Sequence, residues 1–384
     1  MTPAKPAKWF SLNNGENSFE KLSMKTIKLL YPILIIFLLQ ACVSHQQWYR
    51  GNTHAHTVIC GHADSSPETV TNWYHENGYN FLILSEHNHF INPDSVTMPV
   101  DKRDDFILIP GEEISGPRIV HTTAMNTKKL VLPNKLLEIK SEILQDHIDQ
   151  TLDAGGNTIL NHPNYEFTIS AEDVLPVTNL YLFELYNGHP LVKNEGDESH
   201  PSTEELWDTL LSSGMIIYGV SSDDAHTFAK IDSQYSNPGR GWVMVRAPEL
   251  SPGIISQALR DGFFYASNGV ILKKYSPSSK KYQIEVDNEL TLNELAAPDL
   301  RGKRVDETEA GCFIEFVGSE GMVLARHKAA KAAFKVEPST AYVRVKITYR
   351  RKHPEHGMEE FYAWGQPVFT DGRIDTYHAE FSHK

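Results

Sequence analysis

Several apolar runs of strand length in this chain break off into residue types that bind metals. Phe81-Leu82-Ile83-Leu84 runs into Ser85-Glu86-His87-Asn88, and Phe106-Ile107-Leu108-Ile109 runs into Pro110-Gly111-Glu112-Glu113. Thr158-Ile159-Leu160 leads to Asn161-His162-Pro163, and the run from Met215 to Val220 leads to Ser221-Ser222-Asp223-Asp224-Ala225-His226. Where strands alternate with helices, the C-terminal strand ends gather on one face, so residues distant in sequence can meet around an ion. Gly51-Asn52-Thr53-His54-Ala55-His56 adds a further strand end, followed six residues later by His62. Side chains alternate along a strand, which points His54 and His56 to one face. Each histidine alone reads as a hydrogen-bonded loop residue. The repetition is what strains that plain reading.

Helical patterns separate these runs. Ser66-Pro67-Glu68 opens a helix with a capping serine, a proline in the first turn and an acid beside it; Gly78 ends it. A second pattern extends from Lys129 to Gly155, and a third from Glu204 to Ser213; Leu180 to Leu185 reads as a buried strand ending in Tyr186-Asn187-Gly188-His189. The alternation predicts an α/β fold with a mainly parallel sheet, closed as a distorted β/α barrel over residues 48–274, with an open doubly wound sheet as the alternative. From about Tyr275 the pattern changes. Tyr282–Val286, Cys312–Phe316 and Tyr342–Ile347 alternate apolar and polar residues, which predicts a smaller antiparallel β-sandwich over 275–384. The chain has no glycine-rich phosphate loop.

The formal net charge of −13 argues against duplex nucleic acid as a partner, because phosphate neutralisation needs a basic surface. Of the 18 histidines, 13 fall at or before His226, so metal chemistry belongs to the first two-thirds. Three cysteines without CxxC spacing are too few for a disulfide framework or a cysteine-rich zinc site. Cys42 has its own explanation. Met24 to Lys28 is basic, Leu29 to Leu39 is apolar but too short to span a bilayer, and Leu39-Gln40-Ala41-Cys42 resembles a bacterial lipobox. That resemblance implies a signal peptide within residues 1–42, a lipidated Cys42, a tether over 43–47, and a membrane-anchored protein of the cell envelope.

Taken together, the strand-end motifs resemble the PHP (polymerase and histidinol phosphatase) family, whose members fold as distorted β/α barrels and bind up to three metal ions. The resemblance covers roughly residues 48 to 270 and implies two or three divalent ions of zinc, manganese or iron. It implies nine ligands: His54, His56, His62, His87, Glu113, His121, His162, Asp224 and His226. By the same analogy His54, His56, Glu113 and Asp224 hold one ion, Glu113, His121 and His162 a second, and His62, His87 and His226 a third. Glu86 stands where the family commonly has aspartate, and Glu112-Glu113 leaves the register of the bridging carboxylate open by one residue. Ala258 to Gly269, with Tyr342-Val343-Arg344 and Trp364-Gly365-Gln366-Pro367, is similar to a carbaryl-hydrolase-like branch, which widens the leaving group beyond phosphate.

The reaction so implied is hydrolysis of a small phosphomonoester or phosphodiester by a metal-activated water. Carboxylic or carbamate ester hydrolysis on the same site is the rival, and a non-catalytic metal- or ligand-binding envelope protein is the other. Arg240, in Gly239-Arg240-Gly241, is the candidate substrate clamp, with Arg118 behind it. His189 and His89 are candidates to protonate a leaving group, against the plainer reading of solvent-facing residues. Asp64 and Asp223 are expected to hydrogen-bond the ligand imidazoles.

Overall fold

The computed structural model describes residues 46–98, 104–296, 302–353 and 357–374. The lipobox-like segment with Cys42, and the late histidines His356, His378 and His383, lie outside them. Among the described residues no helix is long and apolar enough to cross a membrane.

The strands run β1 (Gln47–Ala55), β2 (Phe81–Leu84), β3 (Ile107–Leu108), β4 (Gly111–Ser115), β5 (His121–Met125), β6 (Asn157–Leu160), β7 (Leu182–Asn187) and β8 (Tyr218–Ser222). Helices α1 (Pro67–Glu76), α2 (Lys140–Asp153), α3 (Ala171–Val174) and α4 (Thr203–Ser212) lie between them. The chain continues through β9 (Trp242–Ala247), α5 (Pro252–Arg260), β10 (Phe264–Ser267), β11 (Leu272–Ser276), β12 (Lys281–Val286) and α6 (Asn288–Leu295). It ends in β13 (Lys303–Val305), β14 (Gly311–Val317), β15 (Val323–Lys328), β16 (Lys331–Lys335), β17 (Tyr342–His353) and β18 (Gly357–Phe369).

Ser66 caps α1 by accepting the Thr69 N–H, as its sequence predicts. The second helical pattern is shorter than predicted. It begins at Lys140, after an irregular segment that holds Pro133 and in which Leu136 stands 89% exposed.

The closed barrel does not form. One mixed sheet has the order β15-β14-β17-β18-β10-β9-β1-β2-β3, and a separate sheet has the order β4-β5-β6-β7-β8. The cause lies in the partners of β1. Its one edge pairs parallel with β2 and its other edge antiparallel with β9, from Gln47↔Ala247 to Gly51↔Val243, so no edge remains for β8. Among the described residues single bridges stitch the two sheets, Ala55↔Ala225 beside predicted ligands, His87↔Glu113 between two of them, and Ile91↔Gly111. Gly51 is required in this layer, because a β-carbon there would lie 2.1 Å from the Phe81 ring.

The late antiparallel strands extend the first sheet and face a three-stranded sheet, β11-β12-β16. Tyr282, Ile284, Phe316, Val345 and Phe361 fill the layer between them. A second core runs from Ile83, Phe183 and Trp207 through to Trp364 and Phe369. Arg344 on β17 reaches α4 in a buried two-pronged pair with Asp208 (2.7 and 2.6 Å), which also accepts the Tyr342 hydroxyl.

Candidate metal centre

The end of β1 delivers His54 and His56 side by side, with their Nε2 atoms 3.0 Å apart and both rings fully buried. Glu113 Oε2, from the middle of β4, lies 3.5 Å from each Nε2. Asp224 Oδ1, just past β8, lies 3.3 and 3.4 Å from the same two atoms. Four donors bound at about 2.0–2.1 Å to one tetrahedral ion stand about 3.3–3.4 Å apart, so these separations fit a shared cation. The donor set fits as well, since imidazole and carboxylate suit zinc, manganese or iron.

Glu113 has a second face. Its Oε1 lies 3.2 Å from His121 Nδ1 and 3.2 Å from His162 Nε2, and it accepts a hydrogen bond from Asn161 Nδ2 at 3.0 Å. One carboxylate therefore stands between two imidazole groups, and the register ambiguity resolves toward Glu113. Glu112 points the other way, into a buried pocket where it accepts the Val131 N–H; burial pushes its carboxyl up to about 7. His62 and His226 form the third group, with Nε2 atoms 3.0 Å apart. His87 joins it through its ring, 5.1 Å from that of His62, while its Nδ1 lies 3.0 Å from Glu113 Oε2. The structure thus brings all nine predicted ligands together. His162 (φ 22°) and Asp224 (φ 49°) hold left-handed backbone conformations, which non-glycine residues adopt at a cost.

Electrostatics explain why the cluster calls for cations. Burial raises the carboxyl of Glu113, but the His54 and His121 rings outweigh it and hold the group well below its usual range. Asp224 is likewise depressed, with burial outweighed by His54, His56 and His226. Burial also opposes charge on His54, yet Asp224, Glu184 and Glu113 raise that ring well above the ordinary histidine value. Its neighbour His56 is driven well below by burial and by His226 and His54. Burial brings His226 down to about 4. So two ionised carboxylates face His56 and His226, whose rings stay neutral, while His54, His87 and His162 are drawn toward the protonated form by the same carboxylates, a positive charge that bound cations would replace.

Glu184 is the residue that sequence reasoning missed. It sits within β7, buried, and accepts His54 Nδ1–H at 2.8 Å and the Ser222 hydroxyl on Oε1. Its Oε2 accepts the His162 N–H at 2.6 Å and Asn187 Nδ2 at 2.8 Å. Accepting the Nδ1 proton orients His54, so that once Nε2 gives up its proton the lone pair faces Glu113 and Asp224. Asn187 also donates to Asp224 Oδ2 at 3.2 Å. The available signal was a lone acid inside the apolar run Leu182-Phe183-Glu184-Leu185.

A cavity of about 500 Å³ opens over the cluster, lined by Tyr165, Leu191, Gln234, Tyr235 and His189 beside the ligands. His189 Nδ1 accepts the Leu191 N–H at 3.2 Å, so the neutral ring carries its proton on Nε2; burial lowers its pKa. The other predicted groups stand elsewhere. Arg240 is buried, and its guanidinium donates to the carbonyls of Tyr235 and Asp232 and to Asn237 Oδ1, so it holds the 232–237 loop together instead of lining the cavity. Arg118 is an exposed partner of Glu138, and His89 is exposed and outside the cavity wall. Asp223 accepts the backbone N–H groups of Gly239, Arg240 and Gly241 and the Tyr74 hydroxyl, while Asp64 accepts those of Phe228 and Ala229. Both carboxylates anchor loops and not imidazoles.

No family model matches the chain, and no curated protein matches it. Among solved structures it is similar to a two-domain protein from Bacteroides vulgatus containing a predicted PHP-like metal-dependent phosphoesterase. The likeness has 14% identity, covers 83% of this chain and 87% of that one, and has a TM-score of 0.40. At that identity and score it decides neither fold nor chemistry.

Proposed function

We propose that this chain is a metal-dependent hydrolase of the PHP type, cleaving a phosphomonoester or phosphodiester at a site for two or three divalent ions of zinc, manganese or iron. Glu113 carries this reading, because one oxygen faces His54, His56 and His87 while the other faces His121 and His162. Bound cations would supply Lewis acidity toward the phosphoryl oxygens and acidify a water near neutral pH. The chain's own residues do the rest. Glu184 and Asn187 orient His54 and Asp224, and Tyr165, Leu191 and Tyr235 form the cavity rim that limits bulk water around a bound ester. His189, with its proton on Nε2, is the group in the wall suited to hand a proton to a leaving oxygen.

A second reading, hydrolysis of a carboxylic or carbamate ester, draws on a different observation. The described residues lining the cavity include no lysine or arginine, and an uncharged ester needs none. In either case we read residues 1–42 as a lipoprotein signal that anchors the protein through Cys42 to a cell-envelope membrane. Residues 48–274 form the hydrolase part and 275–384 its accessory part.

The test is metal content per chain for the parent and His62→Ala, with turnover of aryl phosphate, phosphodiester, carboxylic ester and carbamate substrates. Near three ions falling to near two, with loss of phosphoester turnover, is the expected result. Ester or carbamate turnover alone supports the second reading. Fewer than one ion in the reconstituted parent overturns both.

A further inference from the structure

The turn after His56 carries a thiol that the ligand set above leaves unused. Thr57 caps the single turn Val58–Cys60 by accepting the Ile59 N–H at 3.3 Å, and Gly61, at φ 83°, closes it with an N–H to the Val58 carbonyl. Only glycine adopts that conformation freely, so the reversal is encoded locally. Its effect is to bring Cys60 and His62 back to one place. Cys60 Sγ and one ring nitrogen each of His62 and His226 lie within 4.8 Å of one another. The two rings are already nose to nose, with Nε2 atoms 3.0 Å apart. Cys60 also groups within the same reach with His56 and Glu86, so the sulfur stands among ligating atoms on more than one side.

The contrast with the other described cysteine is informative. Cys312 lies in an apolar core beside Ile314, Phe316 and Ile347, where a thiol behaves as a small hydrophobe. Cys60 is only half-buried, and its thiol donates to the Thr57 carbonyl of its own turn at 3.1 Å, a contact that leaves the sulfur lone pairs available. Two imidazoles and a sulfur at this spacing form a mixed set that satisfies thiophilic ions such as zinc or cobalt better than manganese or magnesium.

Resting on the metal-centre reading, we propose that Cys60 is a ligand of the third cation position, shared with His62 and His226, and that it makes this position selective for thiophilic ions. On binding, the S–H bond breaks, its proton leaves to solvent, and a sulfur lone pair forms the bond to the ion. The other two positions, built from imidazole and carboxylate alone, carry no such preference. The chain therefore discriminates between metals at one position of three.

Absorption spectra of the full chain, stripped with chelator and reloaded with Co2+, test this without reference to turnover. The parent binds three cobalt ions and shows a near-ultraviolet sulfur-to-cobalt charge-transfer band that grows with one of the three equivalents. Cys60→Ser loses that band while the weaker visible bands of the remaining ions persist, and Cys42→Ser and Cys312→Ser keep it. In competition, zinc displaces manganese from one position of the parent, and this preference disappears in Cys60→Ser. Three bound ions with the same spectrum in parent and Cys60→Ser would overturn the thiol assignment and leave the centre intact. A parent that binds no cobalt would overturn the centre itself, and the assignment with it.

Discussion

Replacing Glu184 by glutamine separates metal binding from folding. Every group that the carboxylate touches is a donor: His54 Nδ1–H and the Ser222 hydroxyl at Oε1, the His162 N–H and Asn187 Nδ2 at Oε2. An amide must aim its NH2 at one of these pairs. Facing Oε2, it meets the backbone N–H of His162, which cannot reverse, and one buried donor is lost at about 1–3 kcal/mol. Facing Oε1, it meets a hydroxyl that can rotate and an imidazole that can change tautomer, so folding is spared. That second solution puts the His54 proton on Nε2, the atom that meets His56, Glu113 and Asp224. Glu184→Gln is therefore expected to unfold within about 1–3 kcal/mol of the parent while binding metal roughly 10- to 100-fold more weakly, the range for loss of a carboxylate that orients a ligand histidine. Denaturant unfolding of the metal-free chain gives the first quantity, and zinc titration against a competing chelator gives the second. Affinity within about twofold of the parent would refute the argument that Glu184 sets the tautomer of His54.

Other expectations follow from groups outside the ligand set. His147, buried in α2 with Nδ1 3.1 Å from the Thr122 hydroxyl, is brought down to about 3 by burial with the His121 ring nearby. Its folded pKa lies below the unfolded value of about 6.5, so its contribution is full above about pH 6.5 and fades as pH falls toward 3. Near pH 5 it costs about 2 kcal/mol, and His147→Leu should lose correspondingly less stability than the parent between pH 7.5 and 5 in urea unfolding. Arg344→Met leaves Asp208 buried without its ion pair and should cost about 3–5 kcal/mol in the same assay, with metal content unchanged. Arg240→Met should expose the 232–237 loop to limited proteolysis, with little change in KM for a phosphoester; a large rise in KM with an intact loop would restore the substrate-clamp role.

Most of the candidate ligands were legible in the sequence because His56, His87, His162, Asp224 and His226 follow the C-terminal ends of strands, where chain direction alone fixes the face they join, whereas His121 opens β5 and His62 stands in the turn after β1. Glu113 was legible only to within one residue, since the period of two in β4 separates Glu112 from Glu113 but does not say which faces the centre. Glu184 was hidden because an acid inside an apolar strand has meaning only through its partners, and those come from β1, β8 and the turn after β6. Arg240 stands away from the cavity for a similar reason. Flanking glycines looked like freedom of movement, whereas they let Asp223 collect three consecutive N–H groups and leave the arginine beneath its own loop. Closure of the barrel depended on which strand β1 chose as its second neighbour. Gly51 pairs with Val243, a choice that no local pattern around either residue records.

That neighbour also decides what can be inherited separately. β1, which delivers His54 and His56 at its end, is hydrogen-bonded to β9, β9 to β10, and β10 to β18, so an unbroken ladder leads from two candidate ligands to the last described strand. A lineage that dropped the late strands would leave β10 with a bare edge and take Trp364 from the Tyr186 ring that it stacks against. Such a loss would be felt in β9, the strand against which β1 is aligned. The accessory strands are thus tied to the ligand-bearing strand as one heritable unit, and changes in their length or pairing offer evolution a route to retune the metal centre without touching a ligand.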